Sequence, residues 1–233
     1  MIVAVFQTVY ILVCDPELIR HITTDFSKNI VKWNLIMFEG GLEKGLLFSH
    51  GEHWKKSRGI ISNLFHFGLL KEREHTMYEV VRREIKDLEG KDVDLFKLGC
   101  KIGGEIVVET LFGKDFTNIR FGSNTPLEET QLFINALNSE SLRPLYLLRV
   151  LLFGRVKIDS KWLTKRQAQL RDQLLRIKSV GADYIHDQQK KKERGEVIPD
   201  FIEAYLKLND ESYIDEIIQQ LVIFLGAGQD TTG

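Results

Sequence analysis

The order of apolar and polar positions predicts a chain built mostly of helices. Apolar residues recur at intervals of three and four along most of the sequence, which is the spacing of one helix face. Helices are expected at about 54–65, 70–88, 95–111, 126–138, 160–192 and 212–231. Asp15 and Pro16 suit the cap and first position of a further short helix that ends near Thr24.

The first residues follow a different pattern. Residues 2–6 and 9–13 are rich in β-branched side chains and favour two short strands. This segment is too short for a membrane span of about 20 residues, and it lacks the basic flank of a signal peptide. The fold class expected is therefore mainly α with a minor N-terminal β hairpin, in one domain over residues 1–233. Residues 25–50 are expected to be irregular, and residues 114–125 are expected to form a polar loop. Residues 140–159 are apolar and basic, and Pro144 and Gly154 break them.

The composition mainly excludes certain classes of partner and site. Hydrophobic residues make up 43% of the 233, enough for a globular core, and a net charge of -1 gives no general reason to expect nucleic acid as a partner. Two cysteines, Cys14 and Cys100, form neither a disulfide framework nor a zinc site, and both are expected to be small core residues. The six histidines show no metal-ligand spacing.

The last predicted helix ends in an unusual sequence. Its apolar run, from Ile214 to Leu225, leads into Gly226, Ala227, Gly228, Gln229, Asp230 and Thr231. Each glycine costs about 1 kcal/mol relative to alanine inside a helix, which is tolerable where something flat must approach the backbone. In a second interpretation, the Thr231 hydroxyl bonds back to the carbonyl of Phe224 or Ala227 and bends the helix. Both interpretations can hold together.

Trp54 and Arg58 form a second candidate site. They are four residues apart on a face that continues with Ile61 and Phe65, so an arginine falls on an apolar stripe. A buried charge without a partner is strongly unfavourable, and a dicarboxylate ligand would satisfy both the guanidinium and the indole N–H. The alternative is that Arg58 pairs with Glu52 and that Trp54 is ordinary core.

Five segments in their order along the chain carry a family resemblance. They are Cys14–Ile19, Gly45–Phe48, Gly51–Arg58 with its Trp-x-x-x-Arg, Leu111–Phe116 and Ala227–Thr232. Together they resemble the cytochrome P-450 family, the haem-thiolate monooxygenases, over nearly the whole chain. The resemblance implies a partial cytochrome P-450 fold and haem (iron protoporphyrin IX) as cofactor.

The resemblance also implies roles for the candidate residues. Trp54 and Arg58 would contact the haem propionates, and Ala227 and Gly228 would leave space over one haem face. Thr231 would also border the haem and donate a hydrogen bond to oxygen there. The remaining implied roles are proton relay from solvent by Asp230 and substrate contacts by Phe224, Ala227 and the segments 35–48 and 137–153.

The function implied is insertion of one atom of O2 into an apolar small molecule, with electrons from an NADPH-dependent reductase. The family's axial cysteine loop and its Glu-x-x-Arg helix have no counterpart in this sequence, so no metal ligand is assigned and this chain alone is expected to be inactive. The alternative is a non-catalytic truncated product or a helical binding module without iron. Residues 145–153 suit either a membrane surface or core packing. Localisation stays open, with the endoplasmic reticulum membrane favoured.

Overall fold

Helices account for most of the computed structural model, which describes residues 2–5, 8–24, 38–39, 41–86, 88–154, 156–208 and 212–232. The helices are α1 Pro16–Thr24, α2 Gly51–Ser62, α3 Phe67–Ile85, α4 Leu95–Val107, α5 Lys114–Thr117, α6 Pro126–Ser141, α7 Pro144–Phe153, α8 Lys165–Glu193, α9 Asp200–Leu206 and α10 Ser212–Thr232. The strands are β1 Ile2–Val5, β2 Thr8–Ile11, β3 Phe38–Glu39 and β4 Val156–Lys157. The mainly α fold class is confirmed.

The strands form two small, separate pairs. β1 and β2 pair antiparallel, with Ile2 opposite Ile11, which confirms the N-terminal hairpin. β3 and β4 pair parallel, with Phe38 opposite Val156, and were not predicted. Two-residue strands are too short for an alternating pattern, so the sequence gives no signal for them.

Helix ends explain where the expected boundaries were wrong. Pro144 and Gly154, interpreted as breaks in the apolar and basic segment 140–159, are the first residue and the C-terminal cap of α7. Proline fits the first helical position, and Gly154 takes a φ of 76°, the left-handed region that glycine adopts at low cost. α8 begins at Lys165 rather than at 160, because Thr164 and Gln167 form a reciprocal capping box. The short helices α5 and α9 were also missed.

α10 lies at the centre of the helical packing. It contacts α4, α6, α8 and α9, and its side chains from Glu216 to Val222 are all buried. Gly181 lets α8 and α10 approach each other closely, since an added Cβ at Gly181 would lie 3.2 Å from Ile218 Cγ2 of α10. The apolar core around α10 includes Phe112, Phe133, Leu174, Ile185, Phe201, Ile202 and Leu225. The expected helix from about 212 to 231 is confirmed.

Buried polar side chains join the outer helices. Arg73 of α3 donates to the Leu64 carbonyl at 2.9 Å and to Asp200 Oδ2 at 3.0 Å, so it connects the end of α2 with α9. Glu129 of α6, which is 3% exposed, accepts from Asn124, Gln173 and Arg176. Within the described residues, no helix combines the length and apolar character needed to cross a bilayer.

Candidate functional site

A buried carboxylate holds α2 against α10. Ser57 Oγ of α2 donates to Glu216 Oε1 at 2.6 Å, and the Tyr205 hydroxyl of α9 donates to the same oxygen at 3.1 Å. His53 Nε2 lies 3.7 Å from the other carboxylate oxygen. Burial, followed by the nearby Glu216 charge, raises the pKa of Tyr205. The phenol therefore stays a hydrogen-bond donor, and α2, α9 and α10 are fixed to one another.

Trp54 and Arg58 lie together on α2, as the sequence predicts. The Arg58 guanidinium lies over the Trp54 ring, with its central carbon 5.9 Å from the ring centroid. The buried line of this helix is Ser57, Ile61 and Leu64, whereas Arg58 is exposed. The expectation that Arg58 falls on the buried stripe is therefore wrong, because helix rotation places it beside that line rather than on it.

The exposed position of Arg58 has a chemical consequence. Among the residues that the structure describes, no carboxylate forms an ion pair with it, and the alternative pairing with Glu52 is not observed. A guanidinium above an aromatic ring keeps its N–H donors available, because they lie in the plane of the guanidinium. Such a group binds a carboxylate through two parallel hydrogen bonds.

One face of α10 opens near its C-terminal end. Ile223 and Phe224 are partly buried and Ala227 is exposed, although the preceding turns are enclosed on all sides. Their spacing of three and four residues places them on one helix face, and position 231 follows one turn later. The Phe224 ring contacts Phe65 and Phe201 at centroid distances of 5.9 and 5.8 Å. The side chains of Asp230 and Thr231 lie outside the described part of the structure.

The glycines beside Ala227 serve helix packing. A Cβ on Gly226 would lie 2.5 Å from Ile134 Cδ1 of α6. A Cβ on Gly228 would lie 2.5 Å from Val107 Cγ2 and 3.2 Å from the Gly103 carbonyl, both in α4. Both glycines were expected to admit a flat ligand, but in the structure they face the neighbouring helices α6 and α4. Ala227, between them, is the small residue on the open face.

Two glutamines of α10 hold the loop 41–50. Gln219 Oε1 accepts from the Lys44 backbone N–H, and Gln220 Oε1 accepts from that of Leu46, both at 2.8 Å. Sequence reasoning missed this contact. The signal was the polar pair itself, since two adjacent glutamines inside an apolar helix need buried partners.

Asp215 adds an electrostatic contact to the same junction. It pairs with Lys44 at 3.1 Å and with Lys178 of α8 at 3.0 Å. Burial disfavours the charged form of Asp215, but the two lysines, Lys178 first, outweigh burial and lower its pKa. The loop 41–50, α8 and α10 therefore meet at one ionised carboxylate.

A 3₁₀ turn, Asn63–Phe65, extends α2 at its C-terminal end. The two together follow α10 from Glu216 to Phe224, through the contacts of Ser57 and Phe65. The Trp54–Arg58 pair and Ala227 therefore lie on two helices in contact. That the pair faces the Ala227–Thr231 surface stays a prediction. Cys14, expected in the core, is exposed at the end of the β1–β2 hairpin, and Cys100 is partly buried in α4.

Comparisons with known proteins agree on one family. The family model described as Cytochrome P450 matches residues 1–233. "Cytochrome P450 4d8" of Drosophila melanogaster is 24% identical over 98% of this chain and 52% of its own length. "7-deoxyloganic acid hydroxylase" of Catharanthus roseus is 25% identical over 94% of this chain and 44% of its own length. "Cytochrome P450 4V2" of Homo sapiens is 30% identical over 59% of this chain and 24% of its own. The chain spans about half the length of the first two relatives.

Proposed function

Since this chain belongs to the cytochrome P450 family, we propose that it forms the oxygen-activating side of a haem-dependent monooxygenase that acts on an apolar organic substrate. The observation that carries the proposal is the exposed Ala227 beside the partly buried Phe224 on α10, next to a helix that presents the half-buried Trp54 and the exposed Arg58. Haem has a flat apolar ring and two propionates. Its binding site therefore needs an apolar surface and a cation such as Arg58.

The residues present fit a haem. The Arg58 guanidinium and the Trp54 indole N–H would hold the propionates, because both are donors without acceptor capacity. Ala227 and Thr231, one turn apart, would border the ring, while Gly228 acts indirectly by letting α10 approach α4. A bound haem would supply the chemistry of oxygen activation and C–H oxidation. Neither Cys14 nor Cys100 is assigned as its axial ligand.

Substrate contact and proton supply would come from the same open face. Phe224, held by edge contact with Phe201, would offer a fixed apolar surface, and Ala227 would leave room beside it. The Thr231 hydroxyl would position a hydrogen bond next to the oxygen being activated. The Asp230 carboxylate would pass protons from solvent toward Thr231, which is general acid–base work.

Two partners follow from this proposal. A monooxygenase of this family needs electrons, for which we propose an NADPH-dependent reductase. α7 exposes Leu145 by 82% and carries Arg149, a combination of apolar and basic residues that suits a membrane surface. We therefore propose contact with the endoplasmic reticulum membrane through α7.

Haem titration of the 233-residue chain tests the proposal. Binding is followed by the haem absorption change and by quenching of Trp54 fluorescence in a chain whose other two tryptophans are replaced by phenylalanine. Arg58→Gln should weaken binding at least tenfold, about 1.4 kcal/mol. Lys55→Gln, an exposed cation on the same helix, should leave binding unchanged. Equal affinities of the chain and Arg58→Gln would refute the propionate role.

Two further measurements separate cofactor binding from chemistry. Since neither cysteine is assigned as ligand, the ferrous carbon monoxide complex of the chain should lack the absorption band of thiolate ligation. Appearance of that band would make Cys14 or Cys100 the ligand and overturn the site. In a holoenzyme that contains this chain, Thr231→Ala should slow product formation and leave haem content unchanged.

A further inference from the structure

A cleft of about 320 Å³ lies between α6 and α8, away from the residues assigned to haem. The two helices run antiparallel, because Glu129 of α6 bonds to Arg176 of α8, whereas Glu140 and Arg166 meet at the cleft. The C-terminal end of α6 therefore lies beside the N-terminal end of α8. A helix carries partial negative charge at its C-terminus and partial positive charge at its N-terminus.

The α6 side of the cleft carries a buried carboxylate. Glu140 lies in the last turn of α6 and is 6% exposed. Within the described part of the chain, its hydrogen-bond partner is Arg143, at a long 3.4 Å. A carboxylate has about four acceptor sites, so Glu140 can accept further hydrogen bonds besides the one from Arg143. An ammonium group in the cleft would satisfy Glu140 and the end of α6 together.

The α8 side carries the opposite charge. Arg166 is the second residue of α8 and is exposed. Over the described ranges, it has neither an ion pair nor a hydrogen bond, and it is not paired with Glu140 across the cleft. Thr164 Oγ1 accepts from the Gln167 N–H, and the Thr164 N–H donates to Gln167 Oε1, whereas the N–H groups of Lys165 and Arg166 have no acceptor within the helix. A carboxylate would fit beside Arg166 at this helix end.

We propose that this cleft binds a small zwitterion, namely a free α-amino acid with an apolar side chain. Its ammonium would pair with Glu140, and its carboxylate would pair with Arg166 and the N-terminus of α8. Ala136 and Leu170 supply apolar surface for its side chain, and the Gln169 amide adds a hydrogen-bonding group. A ligand with only one charge would leave either Glu140 or Arg166 without a partner from the ligand.

Titration calorimetry on the 233-residue chain, without haem, tests this proposal with three probes. L-leucine carries both charges, N-acetyl-L-leucine lacks the ammonium, and L-leucine methyl ester lacks the carboxylate. L-leucine should bind saturably and at least tenfold more tightly than either derivative. No saturable binding of L-leucine, or equal binding of all three probes, would overturn the proposal. Neither outcome affects the haem assignment, because the two sites share no residue.

Variants locate the site. Arg166→Gln should weaken L-leucine binding at least tenfold and remove the preference for L-leucine over the methyl ester. Lys165→Gln, the neighbouring exposed cation, should bind L-leucine as the original chain does. Glu140→Gln should remove the preference over N-acetyl-L-leucine, provided that its circular dichroism is unchanged. If Lys165→Gln and Arg166→Gln weakened L-leucine binding equally, the cause would be general charge attraction, which would contradict a defined site in the cleft. This comparison stays valid even if the Glu140 variant does not fold.

Discussion

At the scale of single residues, Gly228 decides how closely α10 can approach α4. An added Cβ would lie 2.5 Å from Val107 Cγ2, so Gly228→Ala should lower the free energy of unfolding by about 1–3 kcal/mol through overpacking. Gly59, in α2, has nothing within 4 Å of an added Cβ. Gly59→Ala should therefore raise stability by about 0.5–1 kcal/mol. Urea unfolding measures both, and a neutral Gly228→Ala would mean that the helix contact is not tight.

Residue chemistry was predictable from the sequence only in part. The pairing of Trp54 with Arg58 on one helix followed from their spacing of four. The exposure of Arg58 did not, because a rotation of α2 by a fraction of a turn decides which line is buried, and tertiary packing sets that rotation. The buried acceptor Glu216 was missed for a similar reason. Its donors, Ser57 and Tyr205, come from elements that only the fold brings together.

At the scale of elements, helix α6 begins with a reciprocal cap whose strength depends on pH. Thr125 accepts from the Glu128 N–H, and Glu128 accepts from the backbone N–H and hydroxyl of Thr125. These hydrogen bonds lower the pKa of Glu128, the backbone bond most strongly. The pKa of Glu128 is lower in the folded state than in the unfolded state. The cap therefore contributes its full stabilisation of the fold at pH values above the unfolded-state pKa. Its contribution is lost as pH falls through the folded one.

Thr125→Ala tests this cap. The substitution removes the hydroxyl hydrogen bonds, so NMR titration should show the pKa of Glu128 moving up toward its ordinary value. Stability near neutral pH should fall by about 0.5–2 kcal/mol. Thr125→Ser keeps the hydroxyl and should retain the lowered pKa. A Glu128 pKa that is the same in all three proteins would contradict the reciprocal cap.

The loop 41–50 depends on two separate hydrogen bonds to α10, and each can be tested alone. Gln220→Met removes the acceptor of the Leu46 N–H, and Gln219→Met removes that of the Lys44 N–H. A hydrogen bond contributes about 1 kcal/mol, so amide exchange should accelerate about fivefold at Leu46 in the first variant and at Lys44 in the second. Acceleration at both amides in both variants would show that the loop is released as one unit.

At the scale of the whole molecule, Asp215 connects the loop 41–50, α8 and α10 by charge. Its lowered pKa means that its stabilising contribution is complete above the unfolded value, about 3.9. That contribution is lost as pH falls through the folded value. Lys178→Met should raise the pKa of Asp215 and move the acid decline of stability to higher pH. Lys165→Met, an exposed lysine on the same helix, should change neither. Unfolding curves across the acid range measure the shift.

The general architecture was predictable because a long segment with apolar residues at helical spacing is readily recognised as a helix from the sequence. α8 and α10 carry their apolar spacing over many turns and were found with small errors at the ends. The β3–β4 pair, formed by Phe38–Glu39 and Val156–Lys157, could not be found in this way. A two-residue strand is too short to show a repeating pattern, and its partner lies more than a hundred residues away in the sequence. The α6–α8 cleft also needs both helix ends in place before Glu140 and Arg166 are seen to face one space.

The central position of α10 has a consequence for biosynthesis. Among the described elements, those that pack around it, from α2 to α9, leave the ribosome earlier. At about 5–20 residues per second, roughly 9 to 35 s separate the synthesis of Gly51 from that of Leu225. During that interval, the apolar faces of α4, α6 and α8 that pack against α10 have no partner and stay exposed to water. The nascent chain therefore exposes these apolar faces for many seconds, until α10 is synthesised.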